Sequence, residues 1–265
     1  NSIINEYFLN DANKLLHPKD SLNAILEANK QNAFVFWNHP AWPAQRSDGI
    51  AKLDEFHKYL IREKLLHGIE VVNELYYSEE ALDIALKNNL TIMGTSDIHG
   101  LVDWLFKVPD DDEVSNKYFP GHRPITIIFS KDKTQETIKE ALFEGRTAVF
   151  YNEMLIGKEE NLYEVASENL SVISEGYNSG GMFSAEKLLK VKLINHSVAP
   201  IQLKYLGEFT FHSDFNFIEL APKSEKEVYI KTQNILTTLD LPFEILNYVI
   251  APKTNLKINK KINIE

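Results

Sequence analysis

The chain has 265 residues, a formal net charge of −10 and no cysteine, which excludes disulfides and thiolate metal sites. Its 44% apolar and 25% charged content excludes extended disorder. No apolar run approaches the ~20 residues of a membrane span, so no membrane insertion is expected. The charge is uneven: residues 185–265 hold 11 lysines against 9 acids, whereas residues 1–184 hold 17 basic residues against 29 acids. An acidic first part argues against a broad nucleic-acid footprint, but not against a short oligonucleotide or nucleotide held by metal ions. The length allows one or two domains. The first residue is Asn1 rather than Met, so a processed or truncated N-terminus is expected. Compartment, cytoplasmic or exported, and oligomeric state stay open.

Taken in order, Asn5–Leu9 reads as a short strand and Asn10–Asn13 as a turn. Ser21–Asn29 has apolar residues at helical spacing behind a cap at Asp20 or Ser21. Asn32–Trp37 is a buried-strand run ending in Asn38-His39-Pro40, where proline stops the ladder. A polar loop over 41–49 precedes an amphipathic helix over 50–66. Gly68 stops that helix, and Ile69–Val72 is the next strand. Ser78-Glu-Glu opens a helix to Lys87, with a cap and first-turn acids. Asn89–Gly94 is a further buried strand, which leads into Thr95-Ser96-Asp97-Ile98-His99-Gly100. Residues 101–121 form a long loop with acids at Asp110–Glu113, read as a solvated run. Strand 123–129, helix 134–143 and strand 147–151 complete an alternation typical of a parallel α/β sheet or barrel.

Beyond Gly157 the pattern changes. Lys158–Asn169 reads as one connecting helix, and Gly176–Gly181 as a linker. Short β-rich runs then follow at 189–195, 201–206, 209–212, 215–220, 227–232, 243–251 and 256–264, the spacing of a β-sandwich. Three segments result: an α/β part over 1–157, a connection over 158–184 and a β-sandwich over 185–265.

Two strand ends carry metal-type chemistry. In a strand, residues two apart share a face, so Asp97 and His99 can aim an oxygen and an imidazole nitrogen at one point. His39 stands at the end of another apolar strand, and strand-end residues of this kind line the sites of α/β barrels. Taken together, Phe36-Trp-Asn-His-Pro40 and Gly94-Thr-Ser-Asp-Ile-His99 resemble the PHP (polymerase and histidinol phosphatase) superfamily of metal-dependent phosphoesterases. Gly68-Ile-Glu-Val-Val-Asn73, His122-Arg-Pro-Ile-Thr126, Glu144-Gly-Arg-Thr-Ala-Val149 and Leu155-Ile-Gly157 extend the resemblance over residues 4–157, toward a PHP-like phosphodiesterase branch.

The resemblance implies part of a distorted β/α barrel with His39, Asp97 and His99 as metal ligands. It also implies two or three divalent ions (Zn, Mn or Fe) and a small phosphorylated substrate. The family opens with His-x-His, and no two histidines of this chain lie two apart. Residues 1–265 are therefore expected to hold only the second half of the metal site, and not to be a competent enzyme by themselves. Arg123, whose planar fork suits phosphate, and the adjacent His122 are the candidate substrate-handling residues. Glu70 is read either as a ligand or as an orienter of ligands, with Asn73 beside it. Arg146 is read as capping a helix end, Trp37 as core, and Trp42 as loop packing or a base-stacking platform. His17, His57 and His67 are read as surface residues, and His196 and His212 as belonging to the β-domain without a partner pattern. Two competing readings stand beside the phosphoesterase: a non-catalytic fragment or scaffold, and an amidohydrolase-like hydrolase acting on non-phosphate substrates.

Overall fold

A computed structural model describes residues 4–15, 20–99, 123–177 and 187–264. The chain divides into two compact units, Asn1–Lys158 with Ala251–Lys253, and Glu159–Ile250 with Thr254–Glu265. Among the described residues no helix is long and apolar enough to cross a membrane.

The first unit is built on four strands: β1 (Ile4–Tyr7), β2 (Phe34–Trp37), β3 (Gly68–Asn73) and β5 (Thr91–Thr95). β2 pairs parallel with β3, and β3 parallel with β5, whereas β1 runs antiparallel to β2. A two-residue strand β4 (Tyr76–Tyr77) folds back on β3 through a turn at Glu74, which takes φ 52°. The helices connecting the parallel strands are α1 (Ser21–Lys30), α2 (Glu55–Arg62) and α3 (Glu79–Lys87). Each starts at a side chain that accepts a backbone N–H of the first turn: Asp20, Asp54 and Ser78. Asp54 places the start of α2 five residues later than the apolar spacing predicts. Phe34, Phe36, Met93 and Leu142 form a core that draws in Phe8, Ile128 and Ile138.

The alternation does not persist. β6 (Ile125–Ile128), α4 (Gln135–Phe143) and β7 (Thr147–Tyr151) follow, but β7 pairs antiparallel with β6. β7 then turns through Asn152 and Glu153, both at positive φ, into an antiparallel β8 (Met154–Gly157). Positive φ at both central residues is the hairpin geometry whose twist matches its strands. β7 meets β5 through a side chain, Thr147 Oγ1 donating to Ile92 O, and Thr91 Oγ1 of β5 donates to Leu142 O in α4. The described strands of this unit do not close into a barrel.

The second unit begins with α5 (Glu159–Asn169), which runs directly into a strand, β9 (Leu170–Tyr177). β10 (Leu188–Asn195), β11 (Ile201–Tyr205), β12 (Thr210–Phe211), β13 (Phe217–Leu220), β14 (Glu225–Lys231), β15 (Thr238–Ala251) and β16 (Thr254–Asn263) follow. One sheet runs β12–β14–β10–β9; in the other, β11 pairs with β13 and β15, and β16 with β15. β10 and β14 alternate buried and open positions, as strands with one face in a core do. The open face of the first sheet carries a charge ladder in which Lys190 bridges Glu175 and Glu227, and Lys192 bridges Glu175 and Glu225.

Candidate functional site

β2, β3 and β5 run parallel, so their C-terminal ends lie at one edge of the sheet. Residues from all three ends line a cavity of about 370 Å³: His39 and Trp42 beyond β2, Glu70 and Asn73 on β3, and Asp97 beyond β5. Pro40, Pro43, Tyr76 and Tyr77 complete an aromatic and proline-rich rim. Trp42 is 47% exposed there, with its ring 5.1 Å from that of His39.

The pivot of this arrangement is Glu70, which is 1% exposed. Its Oε2 accepts the His39 backbone N–H at 2.5 Å and Asn73 Nδ2 at 3.1 Å, and its Oε1 accepts the Thr95 hydroxyl at 2.5 Å. The register between β3 and β5 slips between Glu70 and Val72, a bulge that lets positions 70 and 73 meet. Bulges of this kind re-aim side chains beside functional sites. Burial pushes the Glu70 carboxyl up to about 7; the nearby Asp97 charge adds to the rise, and the three hydrogen bonds oppose it. The Ile-Glu-Val run leaves undivided the ligand and orienter readings of Glu70. Its partners, at positions 39, 73 and 95, become visible only in three dimensions.

The strand-period argument for Asp97 and His99 does not hold, because β5 ends at Thr95 and Asp97 turns to φ 44°. Asp97 lines the cavity with its side chain 32% exposed, whereas His99 is 86% exposed and stands outside it, touching Asp97 Oδ1 with Nε2 at 3.2 Å. Arg123 lines a neighbouring cavity of about 450 Å³ with Tyr7, Thr95, Ser96 and the core residues Met93 and Leu142. His122 and the Asp110–Glu113 run lie outside the described residues, as does His17.

Two surface readings are corrected. His57 is fully buried, stacked on Trp37 at 3.7 Å, with Nδ1 on Asp54 at 2.6 Å. His67 packs on Phe34 and Phe143 and accepts the Val35 N–H, and burial lowers its pKa to about 4. Arg146 holds the Phe129 carbonyl and pairs with Glu144.

The donor chemistry at the cavity, an imidazole and a carboxylate, suits a divalent ion as part of a ligand set. His39 Nδ1 and Asn38 Oδ1 are buried with no hydrogen-bond partner among the described residues, so this corner has polar capacity to spare. Among the described residues, however, no group of three or more His, Asp or Glu side chains comes together at metal-holding spacing. His39 and Asp97 alone fall short of the four to six donors of one ion.

A family model described as an Ig-like domain matches residues 172–261. No curated protein matches the chain. Among solved structures, the chain is similar to a two-domain protein from Bacteroides vulgatus ATCC 8482 that contains a predicted PHP-like metal-dependent phosphoesterase. The two are 32% identical, the match covers 97% of this chain and 70% of that one, and the TM-score is 0.82. At that identity and coverage, this chain belongs to the family of that two-domain, PHP-like protein.

Proposed function

We propose that the first unit carries part of the site of a metal-dependent phosphoesterase built on a PHP-type barrel, and that the second unit contributes no ligand to it. The observation that supports this most is the meeting of His39 and Asp97 at one cavity, at the C-terminal ends of the parallel strands. His39, through neutral imidazole, and Asp97, through carboxylate, would hold a Zn, Mn or Fe ion, with His99 beside Asp97. Donors from outside the described residues would complete two or three such ions. A bound ion of this kind supplies a water acidified to near neutrality and neutralises charge on phosphoryl oxygens. The chain's own residues bind and orient. Trp42 and Tyr76 offer aromatic faces to the organic part of a small phosphoester, a nucleotide or short oligonucleotide included. Arg123, across the Thr95–Ser96 segment from the cavity, is the proposed contact for a phosphate oxygen, with His122 next to it in sequence.

A second reading, a non-catalytic scaffold, draws on the lack of a three-residue ligand group among the described residues. One experiment separates the two. The intact polypeptide is assayed for hydrolysis of a generic phosphodiester and a phosphomonoester with Mn or Zn, and again after chelation. Hydrolysis should need the metal. His39→Ala and Asp97→Asn should cost more than the roughly 10–100-fold typical of residues that merely support a ligand. Metal-supported hydrolysis unchanged in both variants would refute the site; no metal binding and no hydrolysis in the wild type would favour the scaffold.

A further inference from the structure

We infer that Glu70 is a positioning residue: it clamps the turns that carry His39 and Asp97 rather than binding a ligand itself. The inference rests on the metal reading of the cavity above.

Three observations carry it. First, Glu70 is tied to both neighbouring strand ends. One oxygen holds the His39 amide, in the turn beyond β2, and the other holds Thr95, the last residue of β5 and two before Asp97. Asn73, on the same strand, steadies the first of those oxygens. Second, both candidate ligands sit in the left-handed region, His39 at φ 30° and Asp97 at φ 44°. Non-glycine residues occupy this region sparingly and persist there only where surrounding structure over-determines them. A bond to the amide of His39 itself is such a determinant. Third, three donors already occupy the carboxylate, which has about four acceptor positions in all. A direct metal ligand needs free lone pairs facing the ion. Glu70 has spent most of its capacity on the protein and is buried, while Asp97 is partly open.

In this reading the separation of His39 from Asp97 is set by one side chain on the strand between them. The bulge at Glu70 then has a purpose, since an unbroken register would place positions 70 and 73 on opposite faces of the sheet.

The test compares Glu70→Gln, Thr95→Val, the double variant, His39→Ala and Asp97→Asn in the intact protein. Co²⁺ serves as the metal probe, read by its visible spectrum and by calorimetric titration. Glu70→Gln is nearly isosteric and neutral, so it keeps the fold. Thr95→Val removes the β5 tie from the other side. Each should raise the Kd for Co²⁺ by about 10–100-fold. The double variant should do no worse than the weaker-binding single one, because both cut the same tie. The spectrum at saturation should be unchanged, since the ligand set is intact. Unchanged affinity in Glu70→Gln, with His39→Ala and Asp97→Asn abolishing binding, would overturn the positioning role and leave the metal reading standing. Shifted bands at saturation would overturn it differently, by making Glu70 a ligand.

A metal-free readout keeps the two readings apart. With ¹⁵N-labelled histidine, recorded above pH 8 so that the Glu70 carboxyl is ionised, the His39 amide, identified by its loss in His39→Ala, should move to higher field in Glu70→Gln as its charge-assisted bond weakens. A signal that stays in place would refute the clamp whatever the metal does. A signal that moves while His39→Ala and Asp97→Asn still bind Co²⁺ normally would instead sink the metal reading.

Discussion

Replacing Glu70 by Gln should change how the stability of the first unit depends on pH. The carboxyl is raised from 4.5 to about 7, chiefly by burial. Between those values the folded protein holds a proton that the unfolded chain has released. Stability from this group therefore falls as pH rises through the window and reaches its floor above pH 7. At 1.36 kcal/mol per unit the loss is about 3 kcal/mol. His67 works in the opposite direction. Burial lowers it from 6.5 to about 4, so the unfolded chain binds the extra proton and stability rises with pH over that range. The two limbs are similar in size and nearly cancel, so the wild type should show a shallow profile. Glu70→Gln removes the descending limb and should become more stable, relative to wild type, by about 3 kcal/mol between pH 4.5 and 7.5. Trp37 and Trp42 fall in the first unit and residues 159–265 hold no tryptophan, so tryptophan fluorescence follows that unit's unfolding in urea. The midpoint difference between variant and wild type should grow by about 1–3 M over that range, with a chelator present throughout. A difference that does not change with pH would mean that Glu70 is ionised in the folded state at pH 5, and that the burial argument is wrong.

Two further outcomes follow from packing and capping. Gly94→Ala places a Cβ against Val149 Cγ1 and 3.0 Å from its Cγ2. It should cost about 1–3 kcal/mol by the same urea assay, and Val149→Ala in the same chain should recover part of it. Asp54→Ala removes both the N-cap of α2 and the acceptor of the buried His57 Nδ1, and should cost about 2 kcal/mol or more. Asp54→Asn keeps a capping oxygen and should cost less; equal losses in the two would show that the side-chain oxygen is not what matters.

Elements bounded by their own chemistry were legible in the sequence. The apolar runs of β2, β3 and β5 and the caps at Asp20 and Ser78 sit where propensity and turn residues place them. Strands that depend on a partner were not. β4 and β8 exist because a positive-φ turn folds them back on β3 and β7. β9 falls inside the connection read over 158–184, and its last two residues, Gly176 and Tyr177, inside the predicted linker. What makes it a strand is its pairing with β10, where Lys190 and Lys192 meet Glu175 across the ladder. The antiparallel β6–β7 pair escaped for the same reason, since strand–helix–strand spacing does not encode direction.

The site divides along the same line. That His39 and Asp97 line one cavity was legible because each follows an apolar strand, and parallel strands bring such ends to one edge. Glu70 was legible as a ligand or an orienter of ligands, but its partners at 39 and 95 were not. Central strands of parallel sheets are near-continuous apolar runs, and carboxylates are almost never fully buried unless paired. An acid in Gly68-Ile-Glu-Val-Val-Asn73 therefore signals that something in the fold must receive it. The receivers are a backbone amide at 39, an amide side chain at 73 and a hydroxyl at 95. None of these is a charge of opposite sign, which is why burial is answered by a raised pKa rather than by an ion pair. With both oxygens committed to these donors, Glu70 ties the ends of two neighbouring strands together.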